Sequence, residues 1–273
     1  MSEAAQMDYF FNFKFNLHKS LLPIGIDDHD YKRLETVYGV DEAWMRQAVE
    51  IIDASNRAQA AQLTAQFDLQ KLNTRPLKIV FFGDSITSDR QSYLNVLKAA
   101  TEGFENLTLV DMAISAHKSV DLFTALFPGM IGEHADIAHI MIGTNDVRQM
   151  DDALRLFHTS PEEYEKNVDY VVSQLVQDGT QVILTTIPPF CEEKTARGFE
   201  GCRALFREES RVLFNNILKK IALRHGVLLN RMDARYAGHA AVDLTLDDGI
   251  HLNAVGQALL AQGVADAILQ LVH

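Results

Sequence analysis

The chain is short of several things at once. It has two cysteines in 273 residues, Cys191 and Cys202, with one tryptophan and six prolines. Two thiols without CxxC spacing make neither a disulfide framework nor a zinc site, so reduced thiols are the expected state. Basic residues are outnumbered, 25 Lys and Arg against 37 Asp and Glu, for a formal charge of −12. So acidic a chain excludes general binding to a phosphate backbone, and no nucleic-acid partner is expected. No uninterrupted apolar run approaches the roughly 18 residues that a membrane span needs. The first residues, Met1 to Asp8, lack the basic segment and long apolar stretch of a secretory leader. The expectation is a soluble, cytoplasmic protein without membrane contact. Walker and Gly-x-Gly-x-x-Gly sequences are missing, and His117, His134 and His139 share no ligand spacing. Neither a cofactor nor a metal is expected.

What is present is a rhythm. From Leu77 onward, short apolar runs rich in β-formers alternate with amphipathic stretches, the pattern of βα units around a parallel sheet. The runs are Leu77 to Phe82, Leu107 to Met112, Ile137 to Ile142, Gln181 to Ile187 and Val227 to Met232. Their near-continuous apolarity predicts helices on both faces. Helices are expected over Ser92 to Ala100, Ser119 to Leu126, Pro161 to Gln177, Arg203 to Arg224 and Asn253 to Leu271. Ser160, Pro161 and Glu163 give the third a cap and a good first turn.

Residues 1–75 follow a different pattern. Phe11, Phe13, Phe15 and Leu17 alternate with polar residues, which predicts a strand with one apolar face. Asp41 then caps a long helix striped by Met45, Val49 and Ile52. Both faces need covering, by the domain that follows or by a second copy in a homodimer. Arg75-Pro76 marks the junction between this accessory region and the domain at 76–273.

In an open parallel sheet, ligands bind beyond the carboxyl ends of the strands. After the first run, Gly83-Asp84-Ser85-Ile86-Thr87 puts a serine at a strand-to-helix turn, either as a helix cap or as a nucleophile. After the third, Gly143-Thr144-Asn145-Asp146 offers a side-chain amide, or simply turn chemistry. After the fifth, Asp247-Asp248-Gly249-Ile250-His251 sets a carboxylate three residues before a histidine. Each is weak alone, but all three fall at one edge of one sheet.

In this order and at these separations the three motifs resemble the SGNH subgroup of the GDSL esterase/lipase family, over Leu77 to His273. The resemblance implies a flavodoxin-like three-layer α/β/α domain with a five-stranded parallel sheet in the order 2-1-3-4-5, carrying the N-terminal extension. It implies a serine esterase on a small-molecule ester, with Ser85 as nucleophile, His251 as general base and Asp248 orienting the imidazole. The oxyanion hole falls on the backbone N–H groups of Ser85 and Ala116 and the side chain of Asn145. Ala116 departs from the family, which usually has glycine there, so the loop must place its donor without that freedom.

Three cations follow these loops closely: Arg90, Lys118 and Arg148. They either bind an anionic part of the substrate or pair with Asp89, Asp121 and Asp151. The leading reading is an esterase for small or sugar-borne esters. Lysophospholipase, thioesterase and acyltransferase activities stay open on the same site, as does a non-catalytic binding module. With an ordinary histidine, activity is expected to fall as the pH drops through about 6 to 7.

Overall fold

The computed structural model describes residues 29–126, 134–151, 153–198 and 204–272. Chain order begins with α1 (Tyr31–Tyr38), α2 (Glu42–Gln66) and a 3-10 segment (Leu69–Asn73), then β1 (Leu77–Gly83), α3 (Ser85–Ser88) and α4 (Tyr93–Ala100). There follow β2 (Leu107–Asp111), a 3-10 helix (Ser119–Leu126), β3 (Ile137–Met141) and a small ribbon of β4 (Gln149–Asp151) with β5 (Leu156–Phe157). The last third holds α5 (Pro161–Gln177), β6 (Gln181–Thr185), α6 (Glu192–Gly198), α7 (Glu208–His225) and β7 (Leu228–Asn230). It closes with α8 (Asp233–Tyr236), α9 (Ala241–Leu244) and α10 (Ala254–Leu271).

Five strands form one parallel sheet in the order β2-β1-β3-β6-β7. Without the β4–β5 ribbon, which is antiparallel and separate, this is the expected 2-1-3-4-5. Alternation along β1 makes the layers. Ile79 and Phe81 pack with Leu94, Leu97, Leu260 and Val264 from α4 and α10. Val80 and Phe82 pack on the other face with Val168, Val171, Phe214 and Leu218 from α5 and α7. All four strand residues are essentially buried, which is why their run is apolar throughout.

Local chemistry sets most helix ends. Ser160 accepts the N–H of Glu163 beside Pro161, and Asn253 accepts those of Val255 and Gly256. Helix α7 starts later than expected, at Glu208, and its C-cap Gly226 is left-handed. The segment after β2 is a 3-10 helix rather than an α-helix. Helix α10 is long and apolar enough to cross a membrane, although no uninterrupted run suggested it. Here Leu260, Val264 and Ile268 bury it in the core.

In the accessory region Asp41 caps α2 by accepting the N–H of Trp44. Met45, Val49 and Ile52 form a small cluster with Tyr31 and Leu34 from α1. Farther along, Ala60, Leu63, Leu69 and Leu72 enter the same core as β1 and α10, so packing runs continuously across Arg75. The expected strand at Phe11 to Leu17 lies outside the described residues, as does Cys202; Cys191 is a buried free thiol.

Candidate active site

Each loop of the site is a turn whose hydrogen bonds are closed locally. Asp84 precedes the one-turn helix α3 and accepts the N–H of Ile86 at 3.1 Å. Burial pushes the Asp84 carboxyl up to about 6. Gln257 of α10 steadies the same stretch, accepting the Tyr93 N–H at 2.9 Å and donating to the Ile86 carbonyl at 3.3 Å.

Asp248 and His251 share one turn. Gly249 donates to the Leu246 carbonyl, and Leu246 donates to that of His251. Gly249 has φ +77°, and a Cβ there would meet the Cys191 carbonyl at 2.6 Å, so both conformation and space require glycine. One oxygen of Asp248 accepts the backbone N–H groups of Ile250 and His251, at 2.9 and 3.0 Å. The other accepts from His251 Nδ1 at 2.6 Å, which leaves Nε2 to face Ser85 Oγ at 2.7 Å. The three residues called together by the motifs are thus in one hydrogen-bonded line, all buried.

The imidazole lies among carboxylates. Burial opposes its charge, but Asp248, Asp89 and Asp84 outweigh that and raise His251 to about 9. Asp89 has an oxygen 4.0 Å from Nε2 and is itself buried. That lies above the 6 to 7 expected for an ordinary histidine. Protonated His251 cannot accept the serine proton, so activity should be lost as pH falls below about 9.

The oxyanion-hole candidates lie on neighbouring turns. His117 donates to the Ile114 carbonyl, closing a turn whose third residue is Ala116 at φ +68°. Such a position favours glycine, so the chain keeps the glycine conformation with an alanine, at a cost of about 1 to 2 kcal/mol. Asn145 lies in a turn closed by Val147 N–H donating to the Gly143 carbonyl, and its Nδ2 donates to the His117 carbonyl at 3.0 Å. That bond uses one amide proton and leaves the second. Among the described residues, no acceptor takes the backbone N–H of Ser85 or Ala116. Asp146 ties these two loops from below, accepting the Ser119 N–H at 3.0 Å and its hydroxyl at 2.6 Å.

The cations divide. Arg90 has an acidic partner, but it is Asp53 of α2 and not Asp89: its guanidinium grips both oxygens, at 2.8 and 2.6 Å. It is a clamp between the accessory helix and the segment after Ser85, reinforced by Asn56 donating to the Arg90 carbonyl. Arg148 bonds His158, which the motif reading passed over and which lies against the Asn145 carbonyl, while Lys118 follows His117, whose carbonyl takes the Asn145 amide. His139 is a core residue, 3.1 Å from the Tyr93 hydroxyl and 2.8 Å from that of Thr185, and burial lowers it to about 3.

Comparison with known proteins shows the family. Residues 81–259 match the model of the GDSL-like lipase/acylhydrolase family, a span that includes all three motifs. The chain belongs to that family, and it is a carboxylic ester hydrolase. Among solved structures it is similar to LAE5, an alpha/beta hydrolase enzyme from the metagenome of Lake Arreo, at 26% identity and TM-score 0.54, over 74% of this chain and 97% of that one. It also resembles a lipase/acylhydrolase from Enterococcus faecalis, at 18% identity and TM-score 0.57, over 72% of this chain and 97% of that one. The acetyl xylan esterase AlAXEase is 23% identical at TM-score 0.55, over 72% of this chain and all of that one. No curated protein matches the chain.

Proposed function

We propose that the protein hydrolyses small carboxylic esters, sugar-borne ones included, through an acyl-enzyme on Ser85. The observation that carries this reading is the line from Ser85 Oγ to His251 Nε2 at 2.7 Å and from His251 Nδ1 to Asp248 at 2.6 Å. In it Ser85 Oγ attacks the ester carbonyl carbon while its proton passes to Nε2. Charge then develops on the former carbonyl oxygen, where the N–H groups of Ser85 and Ala116 and the free amide proton of Asn145 stabilise it. The carbonyl–alkoxy bond breaks and the leaving alcohol takes the proton from Nε2. Water repeats the sequence on the acyl-serine, with His251 again as base, and releases the acid and free Ser85. Asp248 keeps the proton on Nδ1, so that Nε2 presents its lone pair, and stabilises the imidazolium that forms.

The acetyl xylan esterase among the similar structures supports a short acyl group on a polyhydroxyl carrier, within this reading. Labelling with a fluorophosphonate tests it. The adduct is expected on Ser85 and should disappear in Ser85→Ala and in His251→Ala. A folded wild-type protein that takes no label would instead support the binding-module alternative.

A further inference from the structure

The geometry points to an anion-binding subsite beside the oxyanion hole, built by Lys118, Arg148 and His158, that selects esters bearing a carboxylate or phosphate group. This rests on the esterase reading above and names the substrate class for the same site.

Three observations converge on Asn145. Arg148 Nη2 donates to His158 Nδ1 at 2.9 Å, while its Nε is buried with no hydrogen-bond partner among the described residues. His158 Nδ1 also lies 3.3 Å from the backbone carbonyl of Asn145. Arg148 Nη2 also lies 3.4 Å from His158 Nε2, so the imidazole can donate from Nδ1 to that carbonyl while Nε2 faces the guanidinium. Lys118, two residues beyond the Ala116 donor, adds its charge. Burial first, then Arg148 and Lys118, hold His158 below its ordinary value.

Asp146 acts on Lys118 and His158 through its charge but forms no ion pair with the cluster. Among the described residues, no carboxylate forms an ion pair with Lys118 or Arg148, in a chain whose acids exceed its bases by 12. The nearby acids are already engaged. Asp146 has both oxygens on Ser119, and Asp121 accepts the backbone N–H of Lys118 at 2.8 Å. Like charges held together beside a reaction site are repulsive until an anion joins them. A substrate held there has its carbonyl next to the Asn145 amide.

The test is a ratio. Values of kcat/KM would be measured for neutral 4-nitrophenyl acetate and butyrate, for mono-4-nitrophenyl glutarate with the anion on the acyl side, and for 3-carboxy-4-nitrophenyl acetate with the anion on the leaving group. At least one anionic ester should be preferred over its neutral counterpart by tenfold or more, less so in added salt. Arg148→Gln and Lys118→Gln should each cut that preference at least fivefold, and Arg148→Lys should restore part of it. A preference absent in the wild type, or unmoved by these substitutions, overturns the subsite. Hydrolysis of the neutral esters reports separately on the esterase reading. Should no ester be cleaved, NMR of the His158 ring still decides. Glutarate or inorganic phosphate should shift it saturably in the wild type and not in Arg148→Gln, and the effective ion tells carboxylate from phosphate. No shift with either ion refutes the proposal.

Discussion

Around Ser85, the proposed nucleophile, His251 and Asp248 are held by one another and by backbone N–H groups, whereas on the far side of Asn145 the charges of Lys118 and Arg148, with His158 beside them, form no ion pair with an acid among the described residues. One side is complete without substrate and the other is not. Reaction machinery gains from being assembled in advance, because orienting groups during the reaction would add to the barrier. A recognition element can instead leave its charge unmatched, since the ligand supplies the match and the mismatch penalises ligands that do not.

Asn145 belongs to both sides, and replacing it tests the contrast hardest. Asn145→Ala removes one hole donor and should lower kcat by roughly 100- to 1000-fold, about 2.7 to 4 kcal/mol. Steady-state kinetics on a neutral ester would check this, and a change of only a few-fold would show that the reaction side does not depend on this amide.

The next effect is smaller and has a less obvious sign. The surrounding carboxylates, Asp248 first, raise His251 to about 9 and so favour its protonated form. Asp89→Asn removes one of the carboxylates that hold the proton, which moves the midpoint of the pH–kcat/KM profile downward. More neutral imidazole is then present at pH 7, and the rate there should rise severalfold, less than the gain in neutral fraction because a weaker base accepts protons less readily. An unmoved midpoint would mean that Asp89 does not act on His251.

Smallest is Ala116. Glycine would relieve the left-handed strain at φ +68° but loosen the unfolded chain, so Ala116→Gly should change stability by no more than about 1 kcal/mol. Chemical denaturation measures it. A loss well beyond that would mean that the methyl group makes contacts the turn relies on.

Much of this was legible beforehand because it is local. Strand runs buried on both faces read as apolar whatever surrounds them, and Asp248 and His251 lie within one turn, so their spacing already carried their geometry. Ser85 and Asn145 sit at strand ends that the parallel topology brings together. What escaped was decided across the fold. The partner of Arg90 is Asp53, on a helix whose register against the Ser85 loop no spacing reveals. His158 reaches Arg148 through a ribbon with strands of only three and two residues, too short to show a period. The upward shift of His251 comes from Asp84 and Asp89, on the opposite element, as well as from Asp248. Whether alanine at 116 would keep a glycine-like φ depended on the Ile114 to His117 turn.

The turn that joins Asp248 to His251 has one more consequence. Its own backbone grips the carboxylate, so the acid and the imidazole move as a unit whenever this segment breathes against β1. Such motion varies a single gap, the one to the serine hydroxyl, and does not scramble the alignment of three groups. Thermal jostling would then interrupt turnover only briefly, with full competence returning as soon as that gap closes.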